Sequence, residues 1–315
     1  MIRNLVDNPP LDWIAEEIST HSESRIMMLR EWFRAKTKLR SEAKSGRIDL
    51  AHIHVTHGLS WYRKRSILRE CEKFNIPSVI HIHSGKFEKF CSGKVGKSVK
   101  EELGVTGRRT IILEERWRGM LSDWIPENAT VVPNPSKPIG DRSRHKIGGP
   151  VRLLVLGRKS PVKRHDFCVK ILESLHRSGV EAVLKMTGAT GMIASGNPEL
   201  EIRCLGWVDE LQKSKLISES DFLLSPSEYE GSSMSVIESM VSGLPCLVSE
   251  ASRETIGVDD LVMGDNPDNW AEMIMRSIEG GAYEKLVSRI LEESKKYSTE
   301  ENKLIIGEIY NAMSR

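Results

Sequence analysis

The sequence predicts an α/β protein built from parallel sheets that carry helices on both faces. Short apolar runs recur along the chain, and most of them end in Gly, Pro or Ser. Amphipathic helical segments fill several of the gaps between these runs. Strands that alternate with helices form parallel sheets, because each crossover helix packs back onto a face of its sheet. The 315 residues are enough for two domains, each with its own core.

The first half of the chain opens with residues 1–24, which show no clear period. Residues 25–45 have the apolar spacing of an amphipathic helix and carry many cations. Apolar runs typical of strands follow, and a helix-like stretch with Ile67, Leu68 and Cys71 separates the first two. The predicted strands of this half are residues 49–55, 77–83, 110–115 and 130–135.

The second half of the chain alternates more regularly. Its first helix is predicted to begin with Ser160 as the N-cap and Pro161 as the first helical residue, and to end at Gly179. Further helices are predicted to begin after Ser233 and near Pro267. This half is therefore predicted to be a Rossmann-like doubly wound domain. Its predicted strands are residues 151–157, 182–188, 201–206, 222–226, 246–250 and 261–264.

The boundary between the two domains is expected near residue 148. Residues 143–150 are polar and contain two glycines and a proline, which is typical of a linker. We therefore expect an N-terminal Rossmann-like domain at residues 1–148, short for its kind, and a C-terminal one at residues 149–296. Residues 297–315 are expected to form a helix that packs back towards the N-terminal domain. The apolar side of this helix carries Leu304, Ile305, Ile309 and Met313.

Composition argues against several classes of protein. Asp7, Pro9, Pro10 and Asp12 interrupt the apolar core that a signal peptide needs. No apolar stretch reaches the roughly 18–20 residues that span a bilayer. The five cysteines are scattered without a C-x-x-C pair, so neither a disulfide framework nor a zinc site is expected from them. Reduced cysteines in the cytoplasm are the better interpretation.

The net charge of +2 conceals an asymmetry between the halves. Residues 1–150 contain 27 Lys and Arg against 18 Asp and Glu, whereas the remaining residues contain 19 against 26. A basic half fits an anionic partner, such as a membrane surface or a lipid phosphate, but a solvated basic surface without a partner gives the same count. The helix at 25–45 is open to the same two interpretations, because its apolar side can dock on a membrane or pack on a sheet. Nothing resembles a nucleic-acid recognition motif, and nucleic acid is not an expected partner.

Residues 225–249 contain two glutamates, Glu230 and Glu238, around a predicted turn from a strand into a helix. The free N–H groups at the start of a helix, together with the helix dipole, attract anions. Gly231 allows the backbone to approach a phosphate or a sugar closely. Ionised carboxylates accept hydrogen bonds from ribose or hexose hydroxyls. Two glutamates at this spacing are, by themselves, more often solvated side chains.

Residues 156–167 form the second motif. Gly157 ends the first strand of the second half, and Arg158 and Lys163 lie in the loop that follows. Cations in such a loop, opposite a helix N-terminus, suit a diphosphate. A basic loop taken alone is usually only solvated.

Taken together, these two motifs resemble glycosyltransferase family 4, the retaining enzymes of GT-B fold. Arg158 and Lys163 match the arginine and lysine of the family's G-R-x-x-x-x-K loop. Glu230 through Glu238 match its E-G-x-x-x-x-x-x-E motif. The resemblance is specific over residues 151–275 and extends over residues 48–135, where the chain looks like members that build surface polysaccharides.

The resemblance implies a role for each matched residue. Arg158 and Lys163 would hold the donor diphosphate, Glu238 the nucleotide ribose, and Glu230 the donor sugar. Residues 205–210 look like the segment that lines the base pocket. Besides Glu238, the residues expected to bind the donor are Gly157, Trp207, Gly231, Ser232, Ser233 and Met234.

The resemblance also implies that a histidine after the strand at 77–83 lies near the donor sugar. His83 is the best match, and His81 and His57 are weaker candidates. A position at the carboxyl end of a parallel strand supports a ligand-binding role, although a single histidine is more often structural or solvated. The expected catalytic residues are therefore Glu230, Arg158, Lys163 and His83.

The predicted activity is retaining transfer of a hexose or related sugar from a nucleotide diphosphate, preferably a UDP-sugar, to a glycan or polyprenyl-phosphate-linked acceptor. No D-x-D pair follows a predicted strand, so neither a metal nor another cofactor is expected to be required. The protein is expected in the cytoplasm, with peripheral contact to the inner face of the membrane as an option.

One departure from the family keeps two alternatives open. Members normally begin with a strand and a glycine-rich loop, and the first 45 residues contain no such glycine pair. A non-catalytic protein that binds a nucleotide sugar or stabilises a partner subunit is the first alternative. The second is a GT-B epimerase acting on a sugar nucleotide.

Overall fold

The computed structural model describes residues 2–22, 24–142, 147–191 and 197–314. The chain divides into one unit comprising Met1–Asn134 with Glu300–Arg315, and a second comprising Pro135–Thr299. The second unit thus begins at Pro135, ahead of the linker expected at 143–150. Residues 143–146 of that linker lie outside the described residues. The segment before them belongs to the second unit because the Arg142 guanidinium donates hydrogen bonds to the carbonyl of Ile217 and the hydroxyl of Tyr283, both at 2.7 Å.

The first unit contains a four-stranded parallel sheet in the order β1-β2-β3-β4. Among the described residues ahead of β1 there are two helices and no strand, in agreement with the missing glycine loop. The elements are α1 (Ile2–Asp7), α2 (Arg25–Lys44), β1 (Ala51–Val55), α3 (Leu59–Lys73), β2 (Ser78–Ile82), α4 (Phe87–Cys91), α5 (Gly96–Leu103), β3 (Arg108–Ile112), α6 (Arg116–Met120) and β4 (Thr130–Val131).

The second unit contains a six-stranded parallel sheet in the order β10-β9-β8-β5-β6-β7. Its elements are β5 (Val151–Val155), α7 (His165–Arg177), β6 (Ala182–Met186), β7 (Glu201–Cys204), α8 (Glu210–Glu219), β8 (Phe222–Ser225), α9 (Met234–Val241), β9 (Cys246–Ser249), α10 (Arg253–Ile256), β10 (Val262–Met263), α11 (Pro267–Ser277) and α12 (Ala282–Ser294). The last helix, α13 (Thr299–Met313), belongs to the first unit from Glu300 onward.

Helices cover both faces of the first sheet. Val79, Ile111 and Val132 on one face pack against Leu5 of α1 and against α13. The opposite face forms a separate core with α3 and α5. Burial on both faces explains why all five residues of the inner strand β2 are buried.

Helix α2 buries only part of its predicted apolar side. Ala35 and Leu39 are buried, and Glu70 of α3 holds the helix through two hydrogen bonds from the Arg40 guanidinium, at 2.7 and 2.9 Å. The Arg40 guanidinium lowers the pKa of the Glu70 carboxyl to about 2. The first turns of α2 instead expose Ile26, Met27, Leu29 and Phe33. Among the described residues, no helix is long and apolar enough to cross a bilayer.

The start of α7 differs from the prediction. Pro161–Lys163 form a single 3₁₀ turn with Ser160 as its N-cap, and α7 begins only at His165. Arg164 interrupts the helix because it adopts the left-handed conformation, with φ 50° and ψ 49°. An ion pair from its guanidinium to Asp265 (2.5 Å) and its position over the Phe167 ring hold it there.

Candidate donor-binding site

The centre of the second sheet is the place where its strand order reverses. β5 and β8 are neighbours there, β6 and β7 lie beyond β5, and β9 and β10 lie beyond β8. In open parallel sheets, ligands bind outside the carboxyl ends of the strands at such a switch point. The loops after β5 and β8, which contain most of the predicted site residues, both begin at this point.

The loop after β5 is fixed by the loop after β6. The N–H of Gly157 donates to the hydroxyl of Thr187 at 2.9 Å, and the N–H of Lys159 donates to the carbonyl of Gly188 at 3.2 Å. Gly188 has φ +69°, and a Cβ atom on it would lie 2.3 Å from the carbonyl oxygen of Gly157 and 2.6 Å from Cα of Arg158. Thr187 and Gly188 were not predicted as site residues, and the only sign of them in the sequence is the glycine that ends the apolar run 182–188.

Replacing Gly188 by alanine is expected to lower the free energy of unfolding by about 3 kcal/mol, because steric overlap adds to the cost of positive φ. Gly179 provides a matched control, since its φ is +76° and a Cβ there meets no atom within 4 Å. Gly179→Ala should cost only about 1 kcal/mol. Chemical denaturation of the two variants measures the difference, and equal losses would show that the two loops are not in tight contact.

Lys163 and Glu230 form an ion pair across the switch point. The backbone joins the same two loops, because the N–H of Glu228 donates to the carbonyl of Val162 at 2.9 Å. Both paired side chains are largely buried, with 26% of Lys163 and 12% of Glu230 exposed. Arg158 is exposed and forms no ion pair with any described residue. The site thus contains a lysine paired with a carboxylate and an arginine with no ion-pair partner among the described residues, and both side chains are of a type that binds anions.

The N-terminus of α9 lacks a side-chain cap. Ser233 is the N-cap residue, but its hydroxyl lies near that of Ser235 (3.2 Å) and makes no capping hydrogen bond. The buried hydroxyls of Ser227 and Ser232 find no hydrogen-bond partner among the described residues. Buried polar groups are normally satisfied, and uncapped N–H groups at a helix start bind anions. With Gly231 and the partly exposed Met234, this turn can receive a phosphate or sugar hydroxyls.

Glu238 projects from α9 and forms an ion pair with Lys213 of α8 at 3.0 Å. Burial raises the pKa of the Glu238 carboxyl, although the lysine opposes this shift. Burial also disfavours the charge of Lys213, yet its hydrogen bonds to Glu210 and Glu238 raise its pKa overall. Lys213 was not predicted as a site residue. The signal for it was the capping box that Asp209 and Gln212 form at the start of α8, which places Lys213 in the first turn.

Trp207 follows β7 and is 83% exposed. Gly206, with φ +65°, precedes it, and backbone hydrogen bonds join Gly206 to Gly188 and Ala189. Trp is rarely so exposed in a folded domain, and its free ring offers a surface on which a nucleotide base can stack.

His83, the remaining predicted site residue, belongs to the first unit. It directly follows β2, and its N–H donates to the carbonyl of Val55 at 2.9 Å. Its ring Nε2 lies 2.7 Å from Nδ1 of His54. The weaker candidates differ from each other, since His81 is fully buried whereas His57 is exposed and contacts the hydroxyl of Ser84 at 2.7 Å.

Four histidines therefore share one face of the first sheet. His54 on β1 lies opposite His81 on β2, and His52 and His83 occupy the same face two residues away. Desolvation lowers the pKa of His52 to about 3 and that of His83 to about 4, and it places those of His54 and His81 well below the usual value. The four rings are thus neutral at physiological pH.

A cavity of about 1170 Å³ lies in the first unit beside this face. Residues 9–10 and 13–21, the end of β1, the start of α3 and Tyr310 line it, together with His52, His54 and His83. Its lining combines apolar side chains and imidazoles with the charged side chains of Glu16, Glu17, Arg63 and Lys64.

Comparison with known proteins gives a family match within the second unit. The family model of glycosyl transferases group 1 matches residues 150–279. The putative glycosyltransferase EpsF of Bacillus subtilis is 25% identical over 162 residues, which are 47% of this chain and 42% of EpsF. The chain therefore spans less than half of that relative.

Solved structures similar to this chain show its fold. Sucrose-phosphate synthase from Thermosynechococcus elongatus has a TM-score of 0.67 at 16% identity, with 95% of this chain and 82% of that chain covered. The pneumococcal O-GlcNAc transferase GtfA, in complex with UDP and GlcNAc, has a TM-score of 0.64 at 15% identity, with 87% and 59% covered. The predicted resemblance to glycosyltransferase family 4 is thereby confirmed: the chain has the GT-B fold with two Rossmann-like domains, and its residues 150–279 match the family model of glycosyl transferases group 1.

Proposed function

We propose that this chain is a retaining glycosyltransferase that moves a hexose or related sugar from a nucleotide diphosphate to a glycan or lipid-linked acceptor. The observation that carries the proposal is the group of side chains at the switch point of the second sheet. Arg158, Lys163 and the uncapped N-terminus of α9 supply positive charge there, and Glu230 and Glu238 supply acceptors for hydroxyl groups.

Each part of a nucleotide sugar finds a complementary group. A diphosphate would pair with Arg158 and draw Lys163 away from Glu230. The carboxylate of Glu238 would accept hydrogen bonds from the ribose hydroxyls, and the exposed ring of Trp207 would stack on the base. Glu230, once released by Lys163, would accept hydrogen bonds from the donor sugar.

In the proposed reaction, the bond between the anomeric carbon and the diphosphate oxygen breaks, and a bond from that carbon to the acceptor oxygen forms. The departing phosphate takes the acceptor's proton, so no separate general base is required. Arg158 and Lys163 stabilise the negative charge that develops on the leaving group. We propose that no metal is needed at this site, because the two cations fill its role.

UDP is the donor nucleotide we propose. The support is the resemblance to family members that use UDP-sugars and the UDP bound to the similar pneumococcal transferase.

For the acceptor, we propose a glycan or a polyprenyl-phosphate-linked sugar reached at the cytoplasmic face of a membrane. Ile26, Leu29 and Phe33 of α2 are exposed beside Arg30 and Arg34, so apolar groups and cations occur together on this helix. The excess of cations in the first half supports contact with anionic lipids.

Vesicle co-sedimentation tests this contact. The protein should bind vesicles of anionic phosphatidylglycerol mixed with phosphatidylcholine and should not bind phosphatidylcholine alone. Phe33→Ser should weaken the binding, whereas Thr37→Ser, an exposed position of the same helix, should leave it unchanged. Equal binding of wild type and Phe33→Ser would contradict a docking role for α2.

The reaction is tested by incubating the protein with UDP-sugars and a panel of glycan and lipid-linked acceptors, with detection of UDP release and NMR of the new anomeric bond. Retained configuration at the anomeric carbon supports the proposal, and inverted configuration contradicts it. Conversion of the donor without any acceptor would favour the epimerase. Tight donor binding without turnover would favour the non-catalytic protein, for which the absence of a strand ahead of β1 among the described residues is the argument.

A further inference from the structure

We propose that His52, His54 and His81 of the first unit bind one divalent transition metal ion of the zinc class, each through one ring nitrogen. This site is distinct from the donor site, whose proposed chemistry needs no metal.

The distances between the three rings allow them to bind one metal ion together. One ring nitrogen from each of the three histidines lies within 4.8 Å of the other two. Nε2 of His52 is 3.2 Å from Nδ1 of His81. Two nitrogens bound to one tetrahedral zinc ion, at Zn–N distances of about 2.0–2.1 Å, lie about 3.3 Å apart. The His52–His81 pair already has this separation, and His54 would complete the proposed ligand set.

Hydrogen bonds on the outer side of the rings fix two of the three ligands. The hydroxyl of Tyr310 on α13 lies 2.5 Å from Nδ1 of His52, which leaves Nε2 of that ring to face His81. Nδ1 of His54 lies 2.7 Å from Nε2 of His83. Metal-binding histidines usually use their second nitrogen in this way, because the hydrogen bond sets the tautomer and the orientation of the ring.

The third ring, His81, is fully buried, and its Nδ1 atom is the nitrogen that faces Nε2 of His52. This Nδ1 atom is therefore the one that we propose as the ligand. The Nε2 atom of His81 has no hydrogen-bond partner among the described residues, so burial and the contact with His52 set the orientation of this ring.

The surroundings allow an ion to enter and favour a soft or borderline metal. His52 and His54 line the cavity of about 1170 Å³, so a route from solvent reaches two of the three ligands. The proposed ligand set consists of imidazoles alone. Imidazole ligands without carboxylates suit Zn²⁺, Cu²⁺, Ni²⁺ and Co²⁺ rather than Mg²⁺ or Ca²⁺. By linking β1, β2 and the α13 residue Tyr310, a bound ion would also stabilise the first unit.

The test uses the full chain, freed of metal with a chelator and titrated with Co²⁺, whose visible absorption reports nitrogen ligands. We expect one Co²⁺ per chain, displaced by Zn²⁺, and a rise in the unfolding temperature. His54→Gln should abolish the signal, and Tyr310→Phe should weaken binding by about 10- to 100-fold. His57→Gln, a histidine outside the cluster, is the control and should bind as wild type does.

Several results would overturn the site: no stoichiometric Co²⁺ binding, unchanged binding in both His54→Gln and Tyr310→Phe, or loss of binding in His57→Gln alone. If His54→Gln fails to fold, as judged by circular dichroism, the result for Tyr310→Phe decides, because that change removes only a hydroxyl. The metal-free protein should bind nucleotide sugars as tightly as the metal-loaded protein does.

Discussion

Replacing Lys163 by alanine is expected to lower the rate of sugar transfer by about 100- to 1000-fold. The lysine lies at the switch point with its charge shared with Glu230, and in the proposed reaction it moves to the diphosphate as negative charge develops there. Loss of one such electrostatic contact to a transition state costs roughly 3–4 kcal/mol. The measurement is the turnover number with saturating donor, because a contact made mainly in the transition state changes kcat more than KM.

Lys159 supplies the matched control, since it is an exposed lysine in the same loop and lies four residues away. Lys159→Ala should retain turnover within a few fold. If Lys163→Ala turned over as fast as Lys159→Ala, the assignment of Lys163 to the leaving group would be wrong. A large rise in KM with unchanged kcat would restrict its role to binding the donor.

The second large effect concerns Glu238, whose replacement by alanine is expected to weaken nucleotide-sugar binding by about 10- to 100-fold. Hydrogen bonds to a charged group contribute about 1.5–3 kcal/mol, and the variant would also leave Lys213 with one partner fewer. Calorimetric titration of the donor measures the change in Kd.

Glu210 serves as the control for this effect. It pairs with the same lysine at 3.0 Å, but its side chain is 84% exposed, and the family resemblance gives it no role. Glu210→Ala should leave donor affinity nearly unchanged. Equal losses in both variants would mean that the charge on Lys213, rather than a ribose contact from Glu238, controls binding.

The sequence contained most of the information about the fold. All ten predicted strands are present, because continuous apolar runs that end in turn residues are typical of buried parallel strands. The third predicted strand, at 110–115, was displaced from the observed Arg108–Ile112. Arg108 lies outside the predicted strand but begins the observed one, and its guanidinium is buried against the carboxylate of Glu102 at 2.8 Å. A carboxylate on the preceding helix α5 thus pairs with a charged residue of the strand.

The unpredicted parts of the site depend on contacts between separate loops. Gly188 matters because the backbone of Gly157 lies against it, and no local pattern in the sequence reveals that approach. Lys213 matters because α8 places it beside Glu238. Likewise, the histidines of β1 and β2 alternate visibly in the sequence, but only the register that sets His54 opposite His81 shows that they form one cluster.

The start of α7 shows that a correct local signal for a helix start does not determine how far the helix continues. Ser160 and Pro161 carry correct signals for a helix start, and they do begin a helical turn. The turn ends at Arg164 because contacts with Asp265 and Phe167 favour its left-handed conformation. The resulting break separates Lys163 from α7 and places it in the loop that faces Glu230.

The most direct test of the account is calorimetric titration of a panel of UDP- and GDP-sugars, without metal, into wild type and Arg158→Ala. Arg158 is exposed and has no ion-pair partner among the described residues, so its replacement should not disturb the fold. We predict that wild type binds one class of nucleotide sugar selectively, with UDP preferred, and that Arg158→Ala loses this binding. Failure of wild type to bind any nucleotide sugar, or binding of equal strength by Arg158→Ala, would contradict a donor site at the switch point of the second sheet.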